Sequence, residues 1–245
     1  MKAAYFDCFS GISGDMCLGA LAGAGVDLRS LGETLAVLPV GGYALREEKI
    51  ERDGIEASNV FVDLAEKEQP CRRLADIREI IAGSPLPEEV KEKSMAVFNR
   101  LAAAEAAVHG TVPEHIHFHE VGAVDAIVDI VGTVLGLKVL GVDRVYASPL
   151  PLGKGFIRCV HGIIPNPAPA TLEILRGVPV YGTAVEEELV TPTGAALIAT
   201  LADAFVEMPA MLVERIGYGA GKKEMKHPNL LRLVVGELRD GVPKA

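Results

Sequence analysis

A chain of 245 residues can fold as one large domain or two small ones, with a core that needs neither disulfide staples nor a structural metal. Its 49% apolar and 23% charged residues, with 26 Gly and 15 Pro spread along the sequence, exclude global disorder. The 33 acidic residues against 24 basic ones give a net charge of -9, which argues against duplex nucleic acid as a partner and leaves divalent cations admissible.

The four cysteines, Cys8, Cys17, Cys71 and Cys159, form no Cys-x-x-Cys pair. Neither a zinc ribbon nor a thioredoxin-type dithiol is signalled, and a reducing cytoplasm is the expected compartment. The N-terminal apolar run breaks at Asp7 before a signal-peptide core can form. The longest apolar stretches, 16–26 and 126–142, are too short or are interrupted by Asp129 and Lys138, so no transmembrane helix is expected.

In chain order, Lys2 to Phe6 reads as a short buried strand, followed by a glycine-containing turn and a helix from Asp15 to Ala24. Tyr43 to Ile50 and Ile55 to Leu64 read as a hairpin through Arg52-Asp53-Gly54, because Asp-Gly supplies the positive φ of a tight turn. Helices are predicted over Leu74 to Ala82, Pro87 to Val108 and Glu120 to Leu140; Pro is tolerated in a first turn. Past Val142 come short strands at Arg144 to Ala147 and around Pro149 to Gly155 and His161 to Pro165. Helices at Ala168 to Arg176 and Thr193 to Ala202 flank Val178 to Tyr181. The last strands, Met211 to Ile216 and Leu230 to Glu237, are separated by a loop containing Gly217-Tyr218-Gly219-Ala220-Gly221. With no repeat or linker, a single composite α/β (mixed α+β) domain is expected over 1–245: a β-hairpin, a central helical region and a proline/glycine-rich C-terminal α/β part.

The densest polar cluster is His115-Ile116-His117-Phe118-His119-Glu120, followed by Asp125 and Asp129 in an apolar run. In an extended segment His115, His117 and His119 share one side. On a helix Asp125 and Asp129, four apart, stack on one face, with Gly122 and Gly132 leaving room beside them. Two like charges among Val124, Ile127, Val128, Ile130 and Val131 are costly without a cation, and a mixed imidazole and carboxylate set suits a transition metal. The competing reading is a solvated loop and a polar helix face.

Ser10-Gly11-Ile12-Ser13-Gly14-Asp15-Met16 is a strand–turn–helix junction whose amides could hold an anion, or whose Ser13 and Asp15 simply cap a helix. Asp7 and Asp15 flank the C-terminal edge of a strand, where ligands bind in open α/β sheets. Thr191-Pro192-Thr193-Gly194 offers a second helix start with the same two readings. Gly217 to Lys223 is one residue short of a Walker loop and has no following Ser or Thr, so that motif is rejected. His161 stands in a shaped loop as a minor candidate ligand or base.

Asp7 to Met16, His117 to Asp125, Ser148-Pro149-Leu150-Pro151-Leu152-Gly153, Thr191 to Ala196 and Gly217 to Gly221 together resemble, in this order, the LarC family. The resemblance implies insertion of nickel into pyridinium-3,5-bisthiocarboxylic acid mononucleotide to make the nickel-pincer nucleotide of lactate racemase and related enzymes. It further implies use of CTP with Mn2+ or Mg2+, one carbon–nickel and two sulfur–nickel bonds, and cytoplasmic location. Metal ligands are expected among Asp7, Asp15, His115, His117, His119, Asp125 and Asp129. Anion contacts are expected from Ser10, Gly11, Ser13, Gly14, Thr191 and Thr193, and the base that takes the ring proton from His119, Glu120 or Asp125. Ala126 stands where the family more often has Ser. Family members usually continue for another C-terminal domain associated with the CTP step, so this chain reads as the N-terminal, metal-handling domain. Expected partners are that domain, apo lactate racemase or a related enzyme, and a second copy in a homo-oligomer. The rivals are a nickel store or metallochaperone and a two-metal phosphate-ester hydrolase.

Overall fold

The computed structural model describes residues 1–65, 71–118, 123–159 and 162–239. β1 (Lys2–Asp7) buries Ala3 through Phe6 on both its faces, the pattern of a strand inside a sheet. α1 (Gly14–Gly23) follows, capped by Ser13, whose Oγ accepts from the Met16 amide at 3.4 Å. α2 (Leu28–Leu35) is an element that the sequence reading does not contain. Asp27 caps it by accepting from the Arg29 and Ser30 amides, and Leu28, Leu31 and Leu35 line its buried side. β2 (Tyr43–Arg52) and β3 (Ile55–Leu64) make the expected hairpin, with Arg52 opposite Ile55 and positive φ at Asp53 and Gly54.

The central part holds β4 (Arg72–Arg73), α3 (Leu74–Ala82), α4 (Glu88–His109), a 3-10 turn at Pro113–His115, β5 (His117–Phe118) and α5 (Val124–Val139). α4 starts after Pro87 and stops at left-handed Gly110, φ 65°. The predicted helix start at Glu120 falls outside the described residues. Ala123 has extended backbone and caps α5, which therefore begins at Val124.

The remainder runs β6 (Arg144–Ala147), β7 (Leu150–Leu152), β8 (Phe156–Cys159), β9 (Gly162–Pro165), α6 (Pro169–Ile174), β10 (Val180–Gly182), α7 (Pro192–Leu201), β11 (Ala204–Phe205), β12 (Met211–Ala220) and β13 (Leu230–Leu238). Seven strands form one mixed sheet in the order β11-β6-β1-β13-β12-β3-β2. β6 runs parallel to both β1 and β11, whereas β13 runs antiparallel to β1 and β12. The mixed α/β class is thus observed.

The glycine-rich segment expected as a loop is instead strand. β12 continues to Ala220 because its glycines lie under α1: a Cβ on Gly219 would stand 1.8 Å from the Met16 carbonyl oxygen, and one on Gly217 1.9 Å from that of Ala20. The helix is seated directly on strand backbone, an approach only glycine allows. On its other side α1 packs against α5, where a Cβ on Gly132 or Gly136 would crowd Leu18 or Leu21. Gly132 therefore makes room for a leucine, not for a carboxylate. Leu18, Leu21, Leu35, Ile127 and Ile130 are fully buried in this layer, each stabilising the fold by about 1.5–3 kcal/mol. None of the four cysteines forms a disulfide. No helix of the described residues is long and apolar enough to cross a membrane.

Candidate functional site

Two loops are stitched together at one end of α1. The Ile12 amide donates to the Leu189 carbonyl at 2.9 Å, and the Thr191 amide donates to the Ile12 carbonyl at 3.1 Å. Gly11, at φ 100°, rests on the Leu189 carbonyl, and Gly194 rests on the Ile12 carbonyl; a Cβ would stand 1.9 Å and 2.3 Å from those oxygens. This contact places the N-termini of α1 and α7 side by side, which brings Ser10, Gly11, Ser13 and Gly14 to the loop of Thr191 and Thr193. Both hydroxyls expected as possible caps do cap: Ser13 as above, and Thr191 Oγ1, which accepts from the Gly194 amide at 3.2 Å. Ser10 is 1% exposed and its Oγ has no hydrogen-bond partner among the described residues. Thr191→Ala is expected to cost about 1 kcal/mol in a urea unfolding experiment, the ordinary worth of an N-cap.

α5 crosses this end of α1 with Asp129 laid against Gly14, where a Cβ would stand 2.4 Å from Asp129 Oδ2. Gly14 is thus the glycine that makes room for a carboxylate. Asp125, one turn earlier on α5, is exposed, and its Oδ1 accepts from the Ala126 amide at 2.9 Å. Asp15 Oδ1 accepts from the Ser13 hydroxyl and from the Met16 amide, and its Oδ2 pairs with Lys222 Nζ at 3.1 Å. Asp129 Oδ1 is shut off from solvent and has no hydrogen-bond partner among the described residues.

Burial pushes the Asp129 carboxyl well above the ordinary carboxylate range, the charges of Asp15 and Asp125 push the same way, and Lys222 offsets them in part. For Lys222 itself burial opposes the charged form, but the Asp15 contact outweighs it and the ammonium is held above its usual value. A buried carboxylate without a donor costs several kcal/mol unless a proton or a cation neutralises it. Lys222 and Asp15 are far apart in the sequence, and only the fold sets one against the other.

The other expected ligands lie elsewhere. Asp7 stands directly opposite Arg232 in the β1–β13 register, and Arg232 Nε donates to its Oδ2 at 3.0 Å with a second, closer contact from Nη2. Asp7 is a cross-strand ion-pair partner, not a companion of Asp15. His117 faces solvent while Ile116 and Phe118 are buried, as alternation requires, but its Nε2 accepts from Arg73 Nε at 3.2 Å. His115 closes the 3-10 turn and is exposed like His117. His119, Glu120, Gly122 and His161 lie outside the described residues. Among the described residues no group of three or more His, Cys, Asp and Glu side chains is arranged to hold a metal ion. Asp15, Asp125 and Asp129 share one electrostatic field without forming a closed shell. Cys17 is buried beside them, and burial pushes its thiol up, with Cys8, Asp129 and Asp15 adding to the effect, which keeps it protonated.

The remaining shared motif has a structural explanation. At Gly153 a Cβ would stand 2.1 Å from the Glu187 carbonyl oxygen, and Asn166 Nδ2 donates to that same oxygen and to the Lys154 carbonyl. A cavity of about 700 Å³ among Val134, Lys138, Arg144 and Asp203 lies at the far end of α5 and contains none of the candidate residues.

The family model described as "Nickel insertion protein" matches residues 4–244. The chain is 56% identical over 240 residues to a pyridinium-3,5-bisthiocarboxylic acid mononucleotide nickel insertion protein of Desulfitobacterium hafniense, covering 98% of the chain and 60% of the relative. It is 52% identical over 238 residues to a putative nickel insertion protein of Citrifermentans bemidjiense, covering 97% of the chain and 62% of the relative. The chain therefore spans less than two thirds of the length of these curated relatives. No solved structure matches it.

Proposed function

The chain belongs to the nickel insertion protein family, and from that premise we propose that it is the nickel-handling part of a protein that inserts Ni2+ into pyridinium-3,5-bisthiocarboxylic acid mononucleotide. The observation that carries this reading is the buried, partnerless Asp129 oxygen in the common field of Asp15 and Asp125. Carboxylate oxygen is a harder donor than thiocarboxylate sulfur, so nickel held here is given up readily to the softer ligand. The paired N-termini of α1 and α7, with Ser10, Gly11, Ser13, Gly14, Thr191 and Thr193, supply the amides and hydroxyls that suit the phosphate of the mononucleotide.

In the transfer the pyridinium carbon loses a proton and bonds to nickel, both thiocarboxylate sulfurs bond to the same ion, and the carboxylates release it. The exposed Asp125 carboxylate at the first turn of α5 is suited to take that proton; His119 and Glu120 are the alternatives from the sequence. We assign the CTP step, with its Mn2+ or Mg2+, to the further part that the longer relatives have, and apo lactate racemase or a related enzyme to the receiving end. Calorimetric titration of the chain with the precursor mononucleotide tests the proposal. One-to-one binding is expected; nickel binding with no precursor binding would favour a store or metallochaperone, and turnover of a generic phosphate monoester would favour a hydrolase.

A further inference from the structure

The sheet has a second face, and it carries a charged and aromatic group of its own. Gly217 and Gly219 lie under α1, and Leu231 and Leu233 belong to the core on that side. By alternation Tyr218 and Arg232 turn to the opposite face, where the strand register sets them in one row with Asp7. Asp7 Oδ2 accepts from both Nε and Nη2 of Arg232. That contact, against the opposing effect of burial, and then a hydrogen bond with Tyr218 hold the guanidinium above its usual value. Phe9, in the loop after β1, sets its ring centroid 5.9 Å from Arg232 Cζ. Tyr181, on β10, is near enough for the Asp7 charge, after burial, to push its phenol up.

The Asp7 side chain is mostly covered, whereas that of Arg232 is 44% exposed and both Phe9 and Tyr181 are exposed. The guanidinium has more N–H groups than Asp7 and Tyr218 use. A flat cationic ring finds aromatic faces here, and acid groups on that ring find a fixed set of donors. That is the charge pattern of a pyridinium carrying acid arms. The group also adjoins the loop proposed for the phosphate, since Phe9 is joined directly to Ser10, whose buried Oγ has no hydrogen-bond partner among the described residues. We propose that Phe9 and Tyr181 lie against the pyridinium ring of the mononucleotide while Arg232 holds one of its thiocarboxylates. The guanidinium takes the harder oxygen and leaves the sulfur for nickel. Asp7 is then the residue that positions the guanidinium, not a metal ligand. The inference rests on the reading that this chain takes the mononucleotide.

The test is calorimetric titration of the whole chain with the precursor and, as probes of the ring contact, with the mononucleotides of pyridinium-3-carboxylic acid and of its 3-carboxamide. The wild type is expected to prefer the acid to the amide about tenfold. Arg232→Gln is expected to lose that preference and to bind the precursor about ten- to a hundredfold more weakly. Phe9→Ala and Tyr181→Ala, at exposed positions, are expected to weaken precursor binding about threefold each. An acid preference kept in Arg232→Gln, or wild-type affinity in both aromatic variants, would place the ring elsewhere and overturn the inference while the precursor reading stands. A wild type that binds no precursor would reject that reading and the inference with it.

Discussion

Asp129→Asn is expected to stabilise the metal-free chain at neutral pH by about 1–3 kcal/mol, because it removes a charge from a place where burial and the charges of Asp15 and Asp125 oppose one. The sign follows from the raised carboxyl. The folded chain holds the Asp129 proton more tightly than the unfolded chain, whose carboxyl titrates near 3.8. The contribution of Asp129 to stability is therefore fully present below that value, and it is lost as pH rises toward the higher range in which the folded carboxyl ionises. Urea unfolding of both proteins in chelator from pH 4 to pH 8 reads this directly. The wild type should lose stability relative to the variant as pH rises, and parallel curves would contradict the description of Asp129 as a desolvated carboxyl.

The second large effect is on the fold. Gly219→Ala is expected to lower the unfolding free energy by about 3 kcal/mol or more, because its Cβ would meet the Met16 carbonyl oxygen, and strand and helix backbones cannot relax as a flexible side chain can. Gly41→Ala is the control: nothing lies within 4 Å of its Cβ and its backbone is not left-handed, so a change within about 0.5 kcal/mol is expected. Equal urea midpoints for the two variants would show that α1 does not depend on this seat. Since α1 carries Ser13, Gly14 and Asp15, losing the seat would also disperse the site.

Elements whose signals are local were legible in the sequence. Asp53-Gly54 marks the hairpin because only certain residues take its turn, and Ile116 and Phe118 turn inward by simple alternation. The start of α7 and the Asp125–Asp129 stacking were legible for the same reason. The α2 helix was missed although Asp27 and the leucines at 28, 31 and 35 carry its cap and its stripe. The Gly217–Gly221 segment was misread because glycine in a loop and glycine beneath a helix look alike along the chain, and only the partner backbone separates them. Site residues show the same division. That Asp125 and Asp129 face the same way is a property of one helix, whereas the pairing of Asp7 with Arg232, of His117 with Arg73 and of Asp15 with Lys222 joins segments far apart in sequence. Each of those pairings changes what a candidate ligand can do.

We propose that nickel is received by the carboxylates at the junction of α1 and α5 rather than by His115 and His117 before α5. Nickel titration of the double variants Asp15→Asn/Asp129→Asn and His115→Ala/His117→Ala against the wild type decides between them. A fall in affinity of about a hundredfold is predicted for the carboxylate pair, as expected when two charged ligands of one cation become neutral, with little change for the histidine pair. Undiminished nickel affinity in the carboxylate variant, with loss in the histidine variant, would contradict it.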